Sequence, residues 1–147
     1  MANHAKQQIR EAVAALVTGL TTTASRVYKN RKRPLAANDL PCLMVMNGDD
    51  DLVDVYGSPL TECRLFQIKI KAVVKAGDNV DDVLDTISKE VETVLGANPK
   101  LGGLVKDIQY ASSTSDFDDG SELKIGWSDT VFNIRYEVRR GAPDVLV

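Results

Sequence analysis

The sequence predicts an α+β fold, with a mixed, mainly antiparallel β-sheet and two main helices packed on one of its faces. Three observations carry this. Phe66, Ile68, Ile70, Ala72 and Val74, led by Arg64, alternate with Gln67, Lys69, Lys71 and Lys75, and such alternation marks a half-buried strand. Val80, Val83, Leu84, Ile87, Val91, Val94 and Leu95 recur at steps of three and four, the stripe of an amphipathic helix. The patterns come in blocks, helix, strands, helix, strands, which favours a sheet with segregated helices over a parallel α/β fold.

In chain order, residues 3–20 read as a helix. Ile9, Val13, Leu16, Val17 and Leu20 form its stripe, Lys6, Arg10 and Glu11 lie off it, and Asn3 is the cap. The β-branched Thr21, Thr22 and Thr23 end it. Arg26, Val27 and Tyr28 read as a short strand, followed by a basic loop from Lys29 to Pro34. Cys42 to Met46 is a continuous apolar run after Pro41. It suits a central strand buried on both faces, or on one face with a partner subunit on the other. Asn47 to Asp51 reads as a turn with an acidic cluster, and Asp54 to Gly57 as a short edge strand.

After the long strand, Ala76 to Asn79 is a turn. Asp78 or Asn79 caps the second helix, and Asp81 and Asp82 meet the positive end of its dipole. Gly96, Asn98 and Pro99 end it, and Leu101 to Val105 add one helical turn. Ile108 to Ala111 begin a strand that fades into Ser112 to Ser115, and Asp116 to Gly120 form a polar turn. The last strand starts near Glu122. Its apolar residues switch parity, from Leu123, Ile125 and Trp127 to Phe132, Ile134, Tyr136 and Val138. A bulge near Ser128, Asp129 and Thr130 would restore one core face; alternatively, Trp127 points outward to a partner. Gly141 and Pro143 open a frayed tail. The expected organisation is one domain over residues 1–141 and a short tail over 142–147.

A chain of 147 residues can bury a sizeable core without staples. The net charge of -3 lacks the basic footprint of a general nucleic-acid binder. No apolar run reaches the ~18 residues that span a bilayer. The N-terminal segment does not read as an export signal, which points to a cytoplasm. Cys42 and Cys63 read as buried free thiols, and a disulfide would require their strands to be neighbours. His4 is the only histidine, so no nucleophile–histidine pair or zinc site is expected. Gly102 and Gly103 follow a helix instead of joining a strand to one, so they are no phosphate loop. The chain is expected to be no enzyme, with no catalytic residues, no metal and no cofactor.

What remains is charge in loops. Asp49, Asp50, Asp51 and Asp54 form one acidic group, and Asp116, Asp118 and Asp119 a second. Each reads as a solvated loop, an acidic contact surface or a loose divalent-cation site, without the spacing of an EF-hand. Lys29, Arg31, Lys32 and Arg33 form a basic loop that suits solvent, a protein contact or a phosphate backbone. Acidic and basic loops on one chain allow copies to pair head to tail, and a rotation that closes gives a ring.

Several stretches resemble the tail-terminator family of long-tailed bacteriophages, the minor tail protein U type. They are IREAVAALVTGL near the start, SRVYKNRKRPLAANDLPCLMVMNGDD, then CRLFQIKIKAVVKA with VDDVLDTISKEVETVL, and SDTVFNIRYEVRRG at the end. The likeness runs from about Ile9 to Gly141. It implies a structural protein of the virion, assembled in the host cytoplasm. Such a protein forms a homohexameric ring on the tail tube, stops tube polymerisation and offers its other face to a head-completion or connector protein. DNA would pass through the channel without specific binding. The three charged loops, including residues 49–56 and 112–120, are the expected subunit and tube contacts because they are polar insertions between core elements. Arg139 and Arg140 are weaker candidates. Another head–tail connector protein, or a cytosolic ligand-binding regulatory domain, is the alternative reading.

Overall fold

The computed structural model describes residues 3–29, 39–75, 77, 79–118 and 124–147, with the backbone alone for residue 118. Among these, the strands are β1 (Val27–Lys29), β2 (Cys42–Tyr56), β3 (Thr61–Lys75), β4 (Asp107–Asp118), β5 (Ile125–Arg139) and β6 (Ala142–Leu146). The helices are α1 (Ala5–Val17) and α2 (Val80–Gly96), with a 3-10 turn at Leu101–Gly103. One sheet runs β1-β2-β3-β5-β4, with β6 pairing β5 beyond the start of β4. Only β1 and β2 pair in parallel; the other pairs are antiparallel. The fold is therefore α+β, as the sequence predicts.

The core lies between the helices and one sheet face. From α1 come Ile9, Val13 and Val17, and from α2 come Leu84, Ile87, Val91 and Leu95. They pack on Leu43 and Val45 of β2, the even-numbered Phe66 to Val74 of β3, and Phe132, Ile134, Tyr136 and Val138 of β5. The opposite sheet face carries the odd-numbered residues of β3 and β5, including Lys69, Lys71 and Trp127. His4, rather than Asn3, caps α1: its Nδ1 accepts the Lys6 amide at 3.0 Å. Asn79 is the N-cap of α2, without a side-chain bond to the helix.

Four further expectations need correction. Residues 47–51 are no turn: β2 continues through them to Tyr56, absorbing register shifts at Asn47/Asp50 and Leu52/Asp54. Gly48 makes the first shift possible, because a Cβ there would lie 2.9 Å from Gln67 Cβ and 3.0 Å from its carbonyl. The serine run is no loop either. β4 pairs β5 as far as Asp118, and strand pairing overrides the weak local preference of serine. The tail 142–146 is β6 rather than frayed chain.

The fourth correction concerns β5. It pairs β3 without a register shift from Ile125 to Arg139, and the bulge lies instead in β4, between Tyr110 and Ser112. Trp127 therefore points to the outer face, where Lys71 Nζ sits 4.7 Å from its ring centroid. The core parity at this end is held by Gly126, Ser128 and Thr130. Small residues are needed because the first turn of α2 lands there, and a Cβ on Gly126 would overlap Val80 Cγ2. Gly126→Ala should cost about 1–3 kcal/mol as overpacking. Combining it with Val80→Ala should recover part of that loss, measured as a double-mutant cycle in urea.

Cys42 pairs opposite Val73 and Cys63 opposite Asp54. Ten residues of β3 therefore separate the two levels (73 − 63), roughly 33 Å at strand spacing. Both cysteines are buried thiols, and this separation excludes a disulfide between them.

Candidate functional site

The candidate surface is the hairpin end formed by β2, the turn at 57–60 and β3. Its exposure is unusual because much of it is apolar. Leu52 is 58 % exposed, Val53 50 % and Tyr56 48 %, and Leu60 is exposed in the turn. Single exposed apolar residues are ordinary, but four gathered at one tip mark a contact surface. Asp49, Asp51 and Asp54 surround them, all exposed.

The tip is braced from two sides. Arg139 Nη1 donates to Pro59 O at 3.2 Å and to Thr61 Oγ1 at 2.7 Å, and the Arg140 amide donates to Leu60 O at 3.0 Å. Tyr56 Oη donates to Glu137 Oε2 at 2.5 Å, and this bond holds the Tyr56 hydroxyl above its usual pKa. A rigid tip loses less conformational entropy on docking than a loose one.

Asp50 does not belong to the exposed group. The first bulge brings it opposite Phe66, on the helix side. Both its carboxylate oxygens accept from Tyr136 Oη, at 3.0 and 2.9 Å, and Arg64 Nη1 lies 3.7 Å away. Arg64 Nη2 also donates to Glu62 Oε1 at 2.6 Å, and Arg140 Nε lies 3.6 Å from Glu62 Oε2. The Arg64 bond holds the Glu62 carboxyl below its usual pKa. His4 sits by this network, and partial burial, then Lys6 and Arg64, lower its pKa. Charge reversal at Asp50 would therefore attack the hairpin's own framework rather than a docking surface.

Burial pushes the Tyr136 hydroxyl up to about 12, with the Asp50 bond adding to the rise and Arg64 opposing it. The folded state then keeps a proton that the unfolded chain releases near pH 10, so stability falls as pH rises from about 10 to 12. Urea midpoints over that range should fall more steeply for the wild type than for Tyr136→Phe, which lacks the titrating group.

The other expected site residues do not converge. Lys29 ends β1, and the outer faces of β4 and β5 carry Asp116 opposite Trp127. Of Asp118 the backbone alone is described, at the end of β4. Arg31, Lys32, Arg33 and Asp119 lie outside the described residues. Among the described residues, no group of three His, Cys, Asp or Glu side chains is placed to hold a metal. No described helix is long and apolar enough to cross a membrane. The sequence reading singles out the acids of the hairpin; its contact span 49–56 takes in Leu52, Val53 and Tyr56 but gives these apolar residues no role, and it leaves out Leu60. The signal was present, since Leu52, Val53, Tyr56 and Leu60 crowd a stretch otherwise rich in Asp, Gly and Pro.

No family model matches the chain, and no curated protein matches it. Among solved structures, it is similar to a chain of "Virion of native gene transfer agent (GTA) particle". The two are 18 % identical over 92 % of each chain, with a TM-score of 0.44.

Proposed function

We propose that this chain is a structural protein of a phage-type tail, a terminator that caps the tail tube as a homohexameric ring. The sequence stretches quoted above suggest the family. The observation that carries the reading in the structure is the braced hairpin end, where Leu52, Val53 and Leu60 stand exposed on a rigid frame. A rigid apolar tip is built to dock against protein, and it serves no step of catalysis.

In this reading the tip meets the last ring of tube protein. Tube growth repeats one heterologous contact, so a subunit that matches it on one side only ends the series. The opposite side of the ring is left for a head-completion or connector protein, and DNA passes through the channel without specific binding. The protein acts without cofactor or catalysis, in the virion, after assembly in the host cytoplasm.

The test is to add the protein to growing tubes of the cognate tube protein and image them by negative stain. Rings at one tube end, with tube length fixed from the time of addition, are the expected result. Continued growth with bare ends would refute the reading. Rings that bind DNA-filled heads and ignore tubes would indicate another connector protein.

A further inference from the structure

The sheet face turned away from the helices carries acids at its hairpin end and lysines farther along. At the hairpin end, Asp51 pairs opposite Leu65 and Asp54 opposite Cys63, which places both aspartates on the face turned away from the helices. Farther along β3 on the same face stand Lys69, Lys71 and Lys75. Asp51, Asp54, Lys69 and Lys75 are exposed, and no ion pair engages them among the described residues. The partners of Asp51 and Asp54 are two residues apart on β3, as are Lys69 and Lys71, so both pairs have a spacing of roughly 6–7 Å. Of the other charges on this face, Arg135, exposed opposite Leu65, and Asp116, exposed opposite Trp127, have no ion pair among the described residues, while several more are committed. Arg139 is bonded to Pro59 and Thr61, Lys106 lies 3.9 Å from Glu137, and Asp129 sits opposite Lys71.

We propose that the acidic hairpin end of one copy docks on the lysine row of the outer sheet face of a second copy. Matched spacing and opposite charge fix the register, and the half-buried Met44, Met46 and Val131 beside the lysines supply apolar contact area. The proposal rests on the self-assembling reading above and names its subunit contact. It divides the hairpin's work: Leu52 lies on the helix side and serves the tube, while Asp51 and Asp54 serve the neighbouring copy.

The test uses two reversed chains, Asp51→Lys/Asp54→Lys and Lys69→Glu/Lys71→Glu. Sedimentation velocity follows each alone and both mixed, from about 1 µM to 1 mM, at low and high salt. The wild type should self-associate, more weakly at high salt. Each reversed chain alone should associate at least roughly 10-fold more weakly, and the equimolar mixture should regain wild-type association. If Lys71→Glu prevents folding beside Asp129, Lys69→Glu/Lys75→Glu takes its place. A wild type that stays monomeric throughout, reversed chains that associate like the wild type, or a mixture that fails to recover would each overturn the proposal. Complexes of two copies that obey the reversals would uphold this contact and sink the ring. Rings indifferent to the reversals would uphold the ring and sink this contact.

Discussion

Phe66→Ala should lower the unfolding free energy by about 3–5 kcal/mol, the range for removing a large buried aromatic side chain. The expected loss lies at the upper end because Phe66 does two jobs. It is fully buried in the centre of β3, and its ring meets Tyr136 edge-on at a centroid distance of 6.3 Å. Tyr136 in turn holds Asp50, so the cavity would open beside the bond that draws the bulged part of β2 toward the core. Urea denaturation measures the loss. A conservative Phe66→Leu should cost clearly less, because it keeps most of the volume. Equal losses for the two variants would show that the edge-on ring contact, rather than the filled volume, dominates.

The largest functional effect is expected from Leu52→Asp combined with Val53→Asp. Both side chains are at least half exposed, so the change should move stability by no more than about 0.5 kcal/mol each. If they anchor the tip on the tube, each should cost about 2 kcal/mol or more of docking energy, and together reduce tube capping by over about 100-fold. Co-sedimentation with tube polymers, alongside a melting curve of the free protein, separates the two effects. Capping unchanged in a folded double variant would remove the apolar tip from the tube contact.

The parts of the fold that could be read from the sequence are those where local pattern and tertiary demand agree. From Phe66 to Ala72, β3 alternates because one face meets the helices and the other does not. α2 has one stripe because it has one neighbour layer. The reading failed where pairing or space overruled the local pattern. The residues from Asn47 to Asp51 look like a turn, yet β3 supplies a continuous partner and the excess length is absorbed as bulges. Ser112 to Ser115 look like a loop, yet β5 pairs with them. At Gly126, Ser128 and Thr130 the core asks for small side chains because α2 begins there, so apolarity is a poor guide to the inward face. The candidate site was half legible. Its acids were evident, but which of them turn inward depends on bulge positions that only the paired strand defines.

Those two bulges act as phase shifters on the hairpin. Across the first, the inward parity of β2 passes from the odd-numbered Leu43 and Val45 to the even-numbered Asp50 and Leu52; across the second it returns to odd, as the Asp54–Cys63 pairing requires. Residue count in this stretch is therefore coupled to orientation. Loss of a single residue at either bulge would let the strand heal with both flanks on their present partners, but loss of one between the bulges, with both kept, would slip the pairing by one, and everything on one side of the deletion would exchange faces. Such a change would leave composition and net hydrophobicity almost untouched while turning a docking face into a core face. Between the two bulges, variation should therefore be tolerated as substitution far more readily than as a change of length by one.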